Sequence, residues 1–221
     1  MRSATFWHFF DTEAAPKLMH RADTFRKTFD YLDRLNRHIG IVETGCARIK
    51  DNWQGDGQST LLFDHYVKNQ AGSLVFSVDI DATATALCKS MVSDRVKVHT
   101  GDSVKFLDGL VQSHPSEMPT IDLLYLDSFD VDLYAPWPSA IHHFKELMAI
   151  SPLLSPQTLV VVDDSPSMGF GYVDNSEFVT FPYKPRIGGK GLLIADYADA
   201  IGVHPYFTGY QCGWIGLKRQ A

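Results

Sequence analysis

The sequence predicts an α/β fold built on a doubly wound, mostly parallel sheet. Short apolar runs, such as residues 121–126 and 159–162, are rich in Leu, Ile and Val and are bounded by turn residues, as buried parallel strands are. Segments of helical periodicity alternate with these runs along the chain. Both runs end in aspartates, Asp127 after the first and the pair Asp163-Asp164 after the second. The pattern therefore predicts a repeated β/α order with acidic groups at strand ends.

The first element is a helix. Phe25, Phe29 and Leu32 recur at helical spacing within residues 12–36, which predicts a helix that caps the fold ahead of the first strand. The elements predicted after it are strands at 39–42, 74–78, 96–99, 121–126 and 159–162, and helices that open at Ser59 and cover 83–91, 103–112, 136–150 and 190–201.

The last two apolar runs, 206–210 and 212–217, lie too close together for a crossover helix, so they are predicted to pair antiparallel. Residues 165–188 contain scattered Gly, Pro and aromatic residues without a clear period. Long irregular loops in compact domains usually carry function, so this segment is a candidate lid.

Composition narrows the class of protein. With 221 residues, 45% of them hydrophobic, the chain is predicted to form one domain over 1–221, with an N-terminal helical cap over 1–37. A net charge of −6 argues against nucleic-acid binding and favours a small-molecule partner. Three widely separated cysteines indicate a reducing, cytoplasmic location.

The N-terminal aromatic cluster, residues 6–10, is interrupted by Asp11 and Glu13 before it reaches a membrane-spanning length, so no membrane association is expected. If exposed, the cluster would indicate a homodimer contact; the alternative is that it packs back on the sheet.

The aspartates at the strand ends predict a metal site. Ligands of open α/β sheets bind beyond the carboxyl ends of the strands, so Asp127, Asp163 and Asp164 are expected to face one crevice. Three unpaired carboxylates there would each cost several kcal/mol unless a cation compensates them. Oxygen ligands favour Mg²⁺, Mn²⁺ or Ca²⁺. The alternative is that Asp163 or Asp164 only caps a turn before Ser165-Pro166.

A second set of residues predicts a nucleotide-like ligand. Glu43 and Gly45 follow the first strand, and Gly57 and Ser59 open the next helix, where free backbone N–H groups face a ligand. Asp79 ends the second strand, the position where α/β folds place an acidic residue against ribose hydroxyls. The third strand ends in Gly101 followed by the pair Asp102-Ser103. Each feature is weak alone, but their order along the chain is specific.

In this order the chain resembles the class I S-adenosylmethionine-dependent methyltransferases over about residues 39–217. The resemblance implies a Rossmann-like seven-stranded sheet with an antiparallel C-terminal hairpin, and S-adenosylmethionine as cofactor. The cofactor positions that it implies are Glu43, Gly45, Asp79, Asp102 and Ser103, to which the residue pattern adds Gly57 and Ser59.

More narrowly, Leu126-Asp127 and Val162-Asp163-Asp164 resemble the metal site of the catechol-type and macrocin-type O-methyltransferases, and Asp132-Leu133-Tyr134 resembles a stretch after strand four of the macrocin type. This likeness implies O-methylation of a small hydroxylated acceptor (a sugar, a phenol or a natural product) assisted by a divalent cation, with Mg²⁺ expected.

The chain also departs from these families. Residues 46–54 interrupt the compact glycine loop, so the loop is expected either to bulge toward the substrate or to close over the cofactor. Ser128-Phe129-Asp130 stands where the catechol-type enzymes carry their general base, a lysine.

An attacking oxygen must be oriented and must lose its proton. Asp127, Asp130 and His142 are the catalytic candidates; the other possible bases are Asp132, His143 and Lys190, and a packed structural role is an alternative for each histidine. Lys190 lies between two glycines and would otherwise be a solvated residue at a helix start.

Three other functions are alternatives to this hypothesis. A nicotinamide dehydrogenase would need a tight G-x-G-x-x-G turn, and Gly45 and Gly57 are too far apart for one. A metal-dependent hydrolase would use the three aspartates without a methyl donor. A non-catalytic member of the fold would bind a nucleotide-like ligand without turnover.

Overall fold

A computed structural model describes residues 3–113, 115, 118–166, 171–174, 177–180 and 186–218, with the backbone alone described for 171–174 and 177–180. Its α-helices are α1 (Ala4–Phe9), α2 (Ala22–Leu35), α3 (Ser59–Val67), α4 (Ala82–Met91), α5 (Ser103–Ser113), α6 (Trp137–Ile150) and α7 (Leu192–Ala200). Its strands are β1 (Gly40–Thr44), β2 (Leu74–Asp79), β3 (Val96–Thr100), β4 (Ile121–Leu126), β5 (Leu154–Val162), β6 (Gly171–Asp174), β7 (Glu177–Thr180), β8 (Pro205–Phe207) and β9 (Cys212–Ile215).

The main sheet has seven strands in the order β3-β2-β1-β4-β5-β9-β8. The first five are mutually parallel, and β9 pairs antiparallel with both β5 and β8. The predicted Rossmann-like sheet and its antiparallel end are confirmed. The strand order reverses between β1 and β4, and a crevice opens at the carboxyl ends of strands where such a reversal occurs.

The sheet is covered on both faces, which explains why its strands are apolar throughout. Along β4, Leu123 and Tyr125 face a core formed with α1 to α4, whereas Leu124 and Leu126 face a second core formed with α5, α6 and α7. Alternate side chains of one strand thus enter opposite layers, as the pleat requires. Burial on both sides fixes the register, and with it the position of the strand ends.

The N-terminal cap is more divided than predicted. Instead of one helix over 12–36, α1 is followed by short π- and 3₁₀-helical turns, and α2 begins only at Ala22. Phe6 and Phe10 are buried. The centre of the Phe6 ring lies 4.6 Å from that of Phe29 and 5.0 Å from that of Tyr66. The aromatic cluster therefore packs back on the fold, which was one of the two outcomes expected for it.

The candidate lid contains regular structure that the sequence did not predict. β6 and β7 form an antiparallel pair with Gly171 opposite Thr180. The side chains of the aromatic residues in the candidate lid lie outside the described part of the chain. Among the described helices, none combines the length and apolar character needed to cross a membrane.

Candidate functional site

The three predicted acidic residues meet at the carboxyl ends of neighbouring strands. Asp127 follows β4, and Asp163 and Asp164 follow β5, which pairs with β4 up to Leu126 and Val162. One ligand oxygen from each carboxylate lies within 4.8 Å of the others. The predicted convergence is confirmed, and we call these three residues the acidic cluster.

Two buried cations lie inside the acidic cluster. Lys190 Nζ donates to Asp127 Oδ1 and lies 3.0 Å from Asp164 Oδ2. Arg21 Nε donates to both oxygens of Asp163 at 3.0 and 3.1 Å, and its Nη2 donates to Asp164 Oδ1 at 3.2 Å. The cations that compensate the three carboxylates are thus side chains of the protein itself. The hypothesis of a solvated Lys190 was wrong, because its side chain is 1% exposed.

The charges of the cluster determine the protonation of Lys190. Burial alone would lower the pKa of this ammonium, but Asp127, Asp164 and Asp163 outweigh burial and raise the pKa above its ordinary range. Lys190 therefore stays protonated and is a poor general base. Burial raises the pKa of Asp127, the Lys190 charge opposes that change, and Asp163 and Asp164 reinforce it. Asp127 is thus the better proton acceptor of the two.

Glu43 and Gly45 shape the turn after β1. Glu43 is fully buried and accepts hydrogen bonds from Ser59 Oγ at 2.6 Å, Thr60 Oγ1 at 2.8 Å and Ser77 Oγ at 2.6 Å. Gly45 has φ +81°, and a Cβ there would lie 2.5 Å from the Asp127 carbonyl oxygen. Only glycine combines that conformation with so close an approach of two strand ends.

The buried Glu43 predicts a specific pH dependence of stability. Burial raises its pKa to about 7, against the hydroxyl donors that lower it, whereas an unfolded glutamate titrates near 4.3. The folded state therefore binds more protons between these values, and the Glu43 contribution to stability falls as the pH rises from about 4.3 to about 7. We expect Glu43→Gln to gain stability relative to the native chain across this range, by an amount on the order of 3 kcal/mol at pH 8. Urea unfolding of both proteins at several pH values measures the difference, and a difference that does not vary with pH would contradict the assignment.

Gly57 and Ser59 support neighbouring side chains. Gly57 has φ +66°, and a Cβ there would lie 2.8 Å from Arg21 Cδ, so this glycine makes room for the arginine. Helix α3 begins at Ser59 as predicted, but its N-cap is Gln58 with φ +50°, and Ser59 donates to Glu43 instead. The Ser59 hydroxyl therefore supports the buried Glu43 and does not cap the helix.

Asp79, Asp102 and Ser103 line a second cavity beside the acidic cluster. This cavity has a volume of about 190 Å³, and Ile80, Phe129 and His142 also line it. Asp79 accepts hydrogen bonds from the backbone N–H groups of Cys46 at 3.2 Å and Asp81 at 2.9 Å. Asp102 caps α5 by accepting from Lys105 N at 2.9 Å. Asp79 and Ser128 also line the small cavity of about 30 Å³ at the acidic cluster, so the two cavities are adjacent.

His142 belongs to a polar network beside the larger of the two cavities. Its Nε2 lies 3.0 Å from Ser103 Oγ and 3.3 Å from Glu146 Oε1. The buried Glu146 also accepts from Ser128 Oγ at 2.6 Å and Thr44 Oγ1 at 3.1 Å. The hydrogen bond to Glu146 raises the pKa of His142. Glu146 thus joins β1, the loop after β4, and α6.

The other candidate bases make their contacts outside the acidic cluster, although Asp130 also lines the small cavity there. Asp130 is 74% exposed in its side chain and pairs with Arg48 at 3.1 Å. Asp132 is exposed and accepts from Tyr134 N. His143 is fully buried, and burial lowers its pKa to about 4, which fits the packed structural alternative.

The interrupted glycine loop folds over the crevice. Arg48 bridges Asp56 at 3.5 Å and Asp130 at 3.1 Å, and Arg21 Nη1 donates to the Gln54 carbonyl at 3.0 Å. Of the two outcomes expected for this loop, these contacts favour closure.

Sequence reasoning missed three residues of the site. Arg21 lies in the N-terminal cap, far from any motif, and Tyr210 donates its hydroxyl to Asp164 Oδ1 from a predicted strand. Glu146 lies four residues after His142 on one helix face, and that spacing is the one signal available from the sequence.

No protein-family model matches the chain, and no curated protein sequence matches it. The chain is similar to a solved structure of MycE methyltransferase from the mycinamycin biosynthetic pathway in complex with Mg and SAH, at 15% identity and a TM-score of 0.55 over 86% of this chain and 48% of that chain. It is also similar to MycE in complex with Mg, SAH and mycinamycin VI, at 18% identity and a TM-score of 0.50 over 83% of this chain and 46% of that chain.

The likeness to MycE establishes the fold. The present chain shares the Rossmann-like fold of that methyltransferase, and it spans about half the length of the MycE chains that it matches.

Proposed function

We propose that the chain is an S-adenosylmethionine-dependent methyltransferase that methylates a hydroxyl group of a small acceptor. The observation that supports this proposal most directly is the pair of adjacent cavities at the carboxyl ends of the strands. One has the lining expected for an adenosine group, and the other contains a carboxylate beside a buried ammonium.

The larger cavity suits an adenosine. Asp79 lies at the end of β2 with a carboxylate that can accept from ribose hydroxyls, and the apolar side chains of Ile80 and Phe129 offer surfaces against which a purine can pack. Asp102 and Ser103 add polar groups at its edge. Glu43 pairs with Ser77 of β2, two residues before Asp79, and its three hydroxyl partners hold the turn after β1 in place.

The acidic cluster supplies the groups that the transfer requires. The bond between the acceptor oxygen and the methyl carbon forms as the bond between that carbon and the sulfonium sulfur breaks, and the hydroxyl proton must leave. Asp127 is the proposed proton acceptor. The adjacent Lys190 ammonium stabilises negative charge that develops on the oxygen. The products are S-adenosylhomocysteine, the methylated acceptor and a proton.

The residues do not fit a divalent ion in the arrangement described. An ion held by the cluster needs carboxylate oxygens, and Lys190 and Arg21 already donate to oxygens of all three carboxylates. We therefore assign no step to a metal, although MycE was solved with Mg.

Calorimetric titration of S-adenosylmethionine and S-adenosylhomocysteine into the protein, with Mg²⁺ or with a chelator, tests cofactor binding. Binding of both is expected, and an acceptor screen for S-adenosylhomocysteine release then tests turnover. Absence of binding in every condition would refute the methyltransferase proposal. Binding without turnover on any hydroxylated acceptor would favour the non-catalytic alternative. The contacts that close the interrupted glycine loop over the crevice are the observation that favours this alternative.

Asp127→Asn tests the proton acceptor. The amide cannot take the hydroxyl proton, so we expect turnover to fall by about 100-fold or more while S-adenosylhomocysteine affinity changes little. Asp132→Asn is the matched control, because Asp132 is an exposed carboxylate in the same loop. Equal turnover in both variants would exclude Asp127 from that role.

A further inference from the structure

The acidic cluster has two cations built into it. Its carboxylates carry three formal negative charges, and Lys190 and Arg21 together leave one of them uncompensated. Hydrogen bonds from these two residues and from Tyr210 engage both oxygens of Asp163 and both oxygens of Asp164. Among the described residues, Asp127 Oδ2 is left without a donor. Few oxygens therefore remain for another cation.

The backbone around Lys190 places this side chain in the cluster. Gly189 has φ +56°, and a Cβ there would overlap the Asp164 carbonyl oxygen. The Lys190 N–H donates to that same carbonyl at 3.1 Å. Gly191 lies against Ser165, where a Cβ would come within 2.7 Å of Oγ. The two glycines thus let the turn approach the end of β5 closely enough to bury the ammonium.

Arg21 is fixed in a comparable way. Its guanidinium donates to the Gln54 carbonyl at 3.0 Å and lies 4.6 Å from the centre of the Tyr210 ring. Gly57 leaves space for its Cδ. The carboxylate, the carbonyl, the aromatic ring and the space left by Gly57 together hold the Arg21 side chain in one defined position. A surface arginine would instead sample many rotamers.

A divalent ion and Lys190 would compete for the same place. Mg²⁺ binds oxygen ligands at about 2.0–2.1 Å. The Lys190 ammonium already bridges Asp127 and Asp164, which are two of the three possible ligands. An ion between them would lie within a few ångströms of a like charge in a buried site, where repulsion is strong.

We propose that the Lys190 ammonium, supported by Arg21, takes the place of a divalent cation in the acidic cluster, so that the protein binds no divalent ion there while Lys190 is present. Removal of the lysine charge would leave three carboxylates and one arginine, a net charge of −2 that matches a divalent ion. A catalytic role of Lys190 rests on the proposed methyl transfer. In that reaction its ammonium orients the acceptor oxygen that a metal would otherwise bind.

The proposal is tested by titrating Mn²⁺ and Mg²⁺ into the full chain, with no cofactor or acceptor present. Calorimetry measures binding, and the melting temperature is compared with that of a control containing a chelator. The variant is Lys190→Met, which keeps the apolar stem and removes the charge. The exposed Lys145 provides the matched control, Lys145→Met. We expect the native chain and the control to show no saturable binding up to about 1 mM, and Lys190→Met to bind Mn²⁺ at least about tenfold more tightly.

Saturable binding by the native chain that is lost in Asp163→Asn would overturn the proposal, and this measurement does not require Lys190→Met to fold. If Lys190→Met is folded by circular dichroism and gains no affinity, the lysine does not replace an ion, and the proposal is also overturned. Neither result depends on S-adenosylmethionine, so the methyltransferase proposal can fail or stand separately.

Discussion

Asp163→Ala is expected to lower the free energy of unfolding by about 3 kcal/mol, because it leaves a buried guanidinium without its main partner. Asp163 is 1% exposed in its side chain and binds Arg21 through both oxygens. Breaking a buried ion pair by deleting one member typically costs about 3–5 kcal/mol. The lower end applies here, since Asp164 and the Gln54 carbonyl still accept hydrogen bonds from Arg21. Urea unfolding at neutral pH measures the change.

The chain offers an exposed ion pair as a control for this effect. Arg26 and Asp11 pair at 2.5 Å with half-exposed side chains, and Asp11→Ala should cost at most about 1 kcal/mol. The double variant Arg21→Met with Asp163→Leu removes both buried charges and should be more stable than Asp163→Leu alone. If Asp163→Ala and Asp11→Ala proved equally mild, the cluster would not be the buried charge network described above.

Asp79→Ala is expected to weaken S-adenosylhomocysteine binding by about 100-fold. A hydrogen bond to a charged group contributes about 1.5–3 kcal/mol, and the proposed carboxylate contact involves two ribose hydroxyls. Asp79 also accepts the backbone N–H groups of Cys46 and Asp81, so its loss would loosen the wall of the cavity as well. Calorimetry on the native and variant proteins gives the ratio of dissociation constants.

Two variants separate ribose recognition from support of the wall. Asp81→Ala removes the neighbouring carboxylate that caps α4 through Thr83 and Ala84, so it should cost stability of about 1 kcal/mol but little affinity. Asp79→Asn keeps an acceptor for one backbone group while removing the charge, and it should lie between the native chain and Asp79→Ala in affinity. Unchanged binding by Asp79→Ala would remove Asp79 from the cofactor site.

The sequence predicts the sheet well because burial on both faces forces every parallel strand to be apolar. Once the strands are known, the parallel topology places Asp127 and Asp163 together at the carboxyl ends of β4 and β5. It could not predict Arg21 in the cluster. That contact depends on how the N-terminal cap crosses the sheet, which local periodicity does not encode. The sequence also did not show that Lys190 points inward, because two flanking glycines are equally typical of an exposed turn.

The β6-β7 hairpin lies in a segment that the sequence predicts as an irregular loop. Its four-residue strands, Gly171–Asp174 and Glu177–Thr180, are too short for alternation to emerge above the surrounding Gly and Pro residues. The sequence predicts a helix over 12–36, whereas α2 begins only at Ala22. The apolar spacing continues through the π- and 3₁₀-helical turns that precede α2, so periodicity does not mark the start of the α-helix.

The contact between Arg21 and Asp163 joins residues 142 positions apart in the chain. Contacts of such sequence separation form slowly, because the entropy of closing a long loop is lost before the contact contributes. The charged centre therefore cannot assemble until the N-terminal cap and β5 are both in place, and on the ribosome Arg21 emerges long before its partners exist. We therefore expect burial of this guanidinium to be a late folding event, which a fluorescent probe near Tyr210 would follow.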